Sequence, residues 1–247
     1  MPISKSRFAI SLLLIFGAWL STNAQAKSGR LEAVLSQMNA ASAKFTSAQA
    51  DLRQELFTKI VQDTQTQTGQ IYVLRKSGNT QMGMKMFPAD AKPGAQPIQV
   101  VEFKDGKLRM LNTSTRQIEQ FTTSGKNQGV AETVMTLGFG GSGTDLAKAW
   151  NITDLGTEKI SDGGNQVETE KLDLVSKDEG IRKNYSRITV WIDPARGVSL
   201  KQLFYDASGG TPTGDTRTVY YTNIRLNQTV PVNQFVINCK GCNVVQH

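Results

Sequence analysis

From Ala48 onward the chain adopts a period of two. In "ADLRQELFTKIVQ", Leu52, Gln54, Leu56 and Thr58 alternate with Arg53, Glu55, Phe57 and Lys59, the pattern of a strand with two unlike faces. It returns in "TGQIYVLRKSG" and "NTQMGMKMF", and later in "QVETEKLDLVS", "SRITVWID", "SLKQLFYDA", "RTVYYTNIRL" and "NQFVIN". The joints "DPARG" and "SGGTPTGD" are good turn compositions. Many short strands at close spacing restrict the chain to a curved antiparallel sheet or barrel.

The clearest hairpin is "IQVVEFKDGKLRML". Asp105-Gly106 supplies the favoured two-residue turn, with Val101 and Phe103 before it and Leu108 and Met110 after it. A further strand around "RQIEQFTTS" extends the meander, while "PADAKPGAQP" is a loop by its prolines and glycine. In "TQMGMKMF", Met82, Met84 and Met86 leave one face of a strand. Two readings stand side by side: ordinary core packing, or a wall whose flexible thioethers fit more than one apolar shape.

Two stretches depart from the strand pattern. "GRLEAVLSQMNAASAKF" places Leu31, Val34, Leu35 and Met38 on one side of an amphipathic helix. "KNQGVAETVMTLGFGGSGTDLAKAWNITDLG" has helical spacing at Val130, Val134 and Leu137 and again at Leu146 and Trp150, which predicts two short helices about a glycine-rich joint. Gly138, Gly140 and Gly143 satisfy G-x-G-x-x-G, but the neighbours are hairpins rather than a parallel βαβ unit, so a hinge is the better reading.

The N-terminus bears on location. Lys5 and Arg7 precede an apolar run from Phe8 to Leu20, and a polar stretch ends in Ala24-Gln25-Ala26. That is the layout of a secretory signal peptide cleaved after Ala26, leaving residues 27–247 as one exported domain. The apolar run is shorter than the roughly 20 residues that span a bilayer. Removing Lys5 and Arg7 lowers the formal charge of +7 by two, and the remaining bases are interspersed with acids. A nucleic-acid reader would show a basic stripe or a known module.

Chemistry-bearing residues are sparse. His247 is the only histidine and the last residue, a poor place to hold an imidazole between two partners, so histidine-dependent hydrolysis and histidine metal sites are not expected. Cys239 and Cys242 suit a disulfide in an oxidising compartment. With His247 they match part of a zinc knuckle, but a fourth ligand is missing. Glu168/Glu170 and Asp178/Glu179 read as solvated surface, and Asn112, Asn151, Asn184 and Asn227 begin Asn-x-Ser/Thr triplets. Arg75 ends an apolar strand, where it is either a surface arginine or a guanidinium reaching back to loop or helix carbonyls. No catalytic constellation, metal or cofactor is expected.

In order along the chain, "ADLRQEL", "GQIYVLRKSG", "VVEFKDGKLRMLNTSTRQIEQF", the helical insert, "ITVWIDPARGVSLKQLFYDASG" and "TVYYTNIRLNQTVPVNQFVI" resemble the periplasmic carriers of outer-membrane lipoproteins, the LolA type. The resemblance implies a mainly β, unclosed antiparallel barrel whose apolar concave face is covered by helices as a lid. It implies a monomeric periplasmic carrier that takes acylated lipoproteins from an inner-membrane releasing transporter to an outer-membrane acceptor. Under it Met82, Met84, Met86, Val101, Phe103, Leu108 and Met110 line a lipid-binding cavity. Arg75 is the lid latch, and Val134, Leu137, Gly138, Phe139, Leu146 and Trp150 form the lid. The "PADAKPGAQP" loop, the Cys239/Cys242 pair and the Lys76-Ser77-Gly78 run after Arg75 lie outside the family pattern. A lipid- or stress-sensing binding module on the same fold is the alternative.

Overall fold

The computed structural model describes residues 19–76, 79–122 and 137–246, with side chains from Gly29 onward except Gln234. Helix α1 (Trp19–Lys44) leads into β1 (Ser47–Thr58), β2 (Asp63–Lys76) and β3 (Asn79–Pro88). The meander continues through β4 (Gln99–Lys104), β5 (Lys107–Asn112) and β6 (Gln117–Thr122). After the short helix α2 (Gly143–Ala149) come β7 (Trp150–Asp162), β8 (Asn165–Ser176), helix α3 (Glu179–Asn184), β9 (Tyr185–Asp193), β10 (Val198–Ser208) and β11 (Thr211–Leu226). A 3₁₀ turn (Val232–Phe235) and β12 (Asn243–Gln246) close the chain.

The strands form one sheet in the order β12-β6-β5-β4-β3-β2-β1-β11-β10-β9-β8-β7. Every neighbouring pair is antiparallel except β12 with β6. Among the described residues β7 and β12 do not pair, so the sheet is an unclosed barrel, as expected. At the β4–β5 hairpin Asp105 and Gly106 have φ of 50° and 69°, the two positive angles that this two-residue turn requires. Gly163-Gly164 and Gly209-Gly210 repeat that pair of positive angles at the β7–β8 and β10–β11 turns.

Alternation then assigns two faces. On the inner face α1 buries Val34 and Met38, with Leu31 and Leu35 packed beside them, in one cluster with Leu172, Leu174, Ile188, Val190 and Leu200. Arg30 fastens the helix to β7 through two bonds to Asp154, at 2.8 and 2.6 Å. A Cβ on Gly143 would meet the Leu35 carbonyl at 2.1 Å, so only glycine lets α2 lie this close to α1. On the outer face the C-terminal segment crosses β3, where Phe235 stacks 4.7 Å from Tyr72. Ile237 joins Val100, Leu111 and Ile118 in a second small core, against which the Cys239–Cys242 disulfide packs.

Four local expectations differ from the structure. "NQFVIN" is a 3₁₀ turn rather than a strand: the chain leaves Pro231 with Phe235 buried against the outer face instead of alternating. Trp150 starts β7, because α2 ends where the "WNITDLG" stretch pairs with β8. Residues 179–184 are a helix capped by Asp178, which accepts from the Ile181 N–H at 3.1 Å. Leu137 lies in a turn, not on a helix. The run from Lys5 through Ala18, Val130, Val134 and His247 fall outside the described residues.

Candidate apolar cavity

The inner face is not filled along its whole width. Where α1 and α2 stop, a cavity of about 650 Å³ remains between β10, β11 and β1–β5. One wall is Met82, Met84, Val101, Leu108 and Met110, brought together by the β3–β4–β5 register that sets Met84 opposite Val101 and Val101 opposite Met110. Leu52, Leu56, Ile71, Phe204 and Val219 supply the floor, and Gly138 and Phe139 the roof. Such a volume sits within the roughly 300–1,000 Å³ range of small-molecule sites.

Two of the seven wall residues read from the sequence are elsewhere. Phe103, 1% exposed, and Met86, 0% exposed, are packed into the core and do not line the cavity. Met86 sits there because its cross-strand partner is Gly69. A Cβ on Gly69 would meet the Met86 sulfur at 2.8 Å, so the thioether occupies the space a side chain would have filled. The methionine stripe therefore divides into two cavity-facing members and one plug.

The roof is a short extended hook. Phe139 pairs with Val198, the Ser199 N–H donates to the Gly138 carbonyl at 2.9 Å, and the Ser199 hydroxyl donates to the Leu137 carbonyl at 2.9 Å. The Phe139 ring meets Tyr221 edge-on at 5.1 Å. Arg75 ties this hook to α1: its guanidinium donates to the Gly140 carbonyl at 2.7 Å and to the Ser42 carbonyl at 3.1 Å, and lies 5.2 Å from the centre of the Phe45 ring. Leu146 of α2 and Trp150 of β7 are buried in the core and do not reach the cavity.

The cavity also contains polar groups that the sequence did not assign to it: Gln54, Gln67, Gln99, Gln202, Arg217, Tyr185 and Tyr221. Burial pushes the Tyr221 phenol far above its ordinary value, so it stays protonated and donates to Gln202 Oε1 at 3.2 Å. A sequence signal for Gln202 exists. In "SLKQLFYDA" it shares the period-two face of Leu200 and Phe204, and a polar residue on an apolar face is the anomaly to look for. The carboxylates singled out earlier have local partners or open solvent. Asp178 caps α3, Glu168 and Glu179 are exposed, and Glu170 lies 3.8 Å from Arg30.

No family model matches the chain, and no curated protein matches it in sequence. Solved structures similar to it include an uncharacterized conserved protein from Thermus thermophilus, at 13% identity over 88% of this chain and 99% of that one, TM-score 0.49. The lipoprotein LppX of Mycobacterium tuberculosis matches at 12% identity over 83% and 98%, TM-score 0.44. A LolA superfamily protein of Nitrosomonas europaea matches at 13% identity over 84% and 97%, TM-score 0.38.

Proposed function

We propose that this chain is a carrier that shields the acyl chains of lipoproteins from water and ferries them from the inner to the outer membrane. The supporting observation is the roofed apolar cavity of about 650 Å³ on the inner face of an unclosed sheet. Each methylene removed from water contributes about 0.8 kcal/mol, so several acyl chains cross an aqueous space only when covered. Met82, Met84 and Met110 give the wall the adaptability that disordered chains demand. Arg75 is the latch of the unloaded state, holding roof and helix together until cargo displaces them.

Under this reading residues 1–26 are a cleaved leader and residues 27–247 act as a monomer in the periplasm. Cargo arrives from an inner-membrane releasing transporter and leaves to an outer-membrane acceptor, without cofactor or catalysis. The test mixes the protein with a triacylated lipoprotein and, separately, with its unacylated form, in size-exclusion chromatography without detergent. The expected result is a soluble one-to-one complex with the acylated form alone. Complexes with both forms, or with neither, reject the carrier reading.

A further inference from the structure

Gln202 is 3% exposed, yet it borders the cavity. Its carbonyl oxygen accepts from Tyr221, and among the described residues its amide nitrogen has no hydrogen-bond partner. A buried donor left without an acceptor costs stability unless a ligand completes it. Gly138 keeps the amide uncovered: a Cβ there would stand 3.4 Å from Gln202 Nε2, and glycine leaves that space open.

The register puts this amide in a belt. Gln202 pairs with Val219, Val219 with Gln54, and Gln54 with Gln67, so three glutamines lie at one level across four strands. One step inward on the same face are Tyr221 and Leu52, a pair, and Leu200. One step outward are Phe204 paired with Arg217, and Arg217 paired with Leu56. Along these strands a largely apolar step is followed by an amide step and then by one arginine set between two apolar side chains. That order mirrors an amphiphile whose chains, carbonyl linkage and head follow one another.

We propose that Gln202 is a ligand-binding residue whose amide donates to the carbonyl of an esterified acyl chain, fixing the depth at which the linkage sits. This rests on the acyl-carrier reading and adds a ligand class to it: an ester rather than an ether-linked chain. A neutral carbonyl suits the position, because the amide itself carries no charge and the cation on this face, Arg217, lies one step further out.

The probes are dioctanoylglycerol and its dioctyl diether, which differ only in the two carbonyl groups, titrated calorimetrically into the purified protein. The wild-type protein is expected to favour the ester by about tenfold, equivalent to about 1.4 kcal/mol. Gln202→Leu is expected to lose the preference and bind the two probes with similar affinity. Gly138→Ala, which crowds the amide, should shrink the preference. Equal binding of ester and ether by the wild-type protein, or a preference that survives in Gln202→Leu, overturns the role of Gln202 and leaves the acyl cavity standing. Binding of neither probe by the wild-type protein overturns both. If the leucine variant fails to fold, Gly138→Ala decides: a preference that keeps its wild-type size there overturns the role of Gln202.

Discussion

The two halves of the inner face have the same alternation and opposite contents. Toward β7, Leu172, Leu174, Ile188, Val190 and Leu200 are all 0% exposed, in one cluster with Val34 and Met38 of α1 and Leu146 of α2. Toward β5, Met84, Leu108 and Met110 keep part of their surface and face empty volume. Side-chain shape differs with them. The strands of the filled half rely on chains branched at Cβ or Cγ, which pack well against a fixed partner, with Met38 of α1 the thioether among them. The open half adds Met84 and Met110 to branched neighbours such as Val101 and Leu108, and unbranched thioethers suit an occupant of no fixed shape. Periodicity places both sets on the same face, and one set meets a helix while the other borders the cavity.

The largest effects should fall on the filled half. Leu174→Ala is expected to lose about 2–5 kcal/mol in urea unfolding, since truncation leaves a cavity that rigid neighbours cannot close. Met84→Ala should lose about 1 kcal/mol or less, because its side chain already borders open space. Equal losses would erase the distinction between the halves. The methionines allow a sharper version. Met84→Lys with Met110→Lys, both partly exposed to the cavity, should fold and lose acyl binding, whereas Met86→Lys should unfold, because it forces a charge into a fully buried position.

The next effect concerns the tie that joins the halves. Hydrogen bonds from a charged group contribute roughly 1.5–3 kcal/mol, and Arg75 makes such bonds to both Ser42 and Gly140. If they exist only in the unloaded state, Arg75→Leu weakens that state and spares the loaded one. Acyl affinity then rises, about tenfold for each 1.4 kcal/mol lost from the unloaded state, and onward transfer slows. Unchanged affinity together with normal transfer would remove Arg75 from the latch role and leave it a structural brace.

Most strands, their hairpin turns and the helix-covered face were legible in the sequence because each is a local period or a local turn requirement, whereas β7 and β12 were not read as strands. Asp105-Gly106 needs nothing beyond its own backbone angles. What escaped depends on partners distant in sequence. Met86 looks like Met82 and Met84 until Gly69 is placed opposite it, and Trp150 looks helical until β8 is placed beside it. The roof hook is held by Val198 and Ser199, some sixty residues on, so its glycines suggested a hinge without showing what they pair with. Gln202 was readable as a misfit on an apolar face, but its free amide required Tyr221 to be positioned.

The smallest expected effect separates the halves by the sign of their response to acid. On the outer face of the filled half, Glu158 accepts from Trp191 Nε1 at 2.9 Å and Lys171 at 3.0 Å, and these bonds hold its carboxyl below the ordinary range. Its contribution is therefore present above the unfolded value and lost as pH falls through the lower folded one. Asp206, whose charge is felt by the cavity-lining Arg217, shows the reverse. Burial raises its carboxyl despite that arginine, so the stability it contributes exists at low pH and is lost as pH rises through the raised value. Glu158→Gln should thus flatten the acid side of a stability–pH curve measured by urea midpoints. Asp206→Asn should stabilise the protein at neutral pH, with the gain vanishing near pH 3, just below the ordinary aspartate value of about 3.9. Both shifts should be small, since both residues are only partly buried. If the two variants moved the curve in the same direction, the two regions would share one electrostatic regime, and only side-chain shape would distinguish the filled half from the open one.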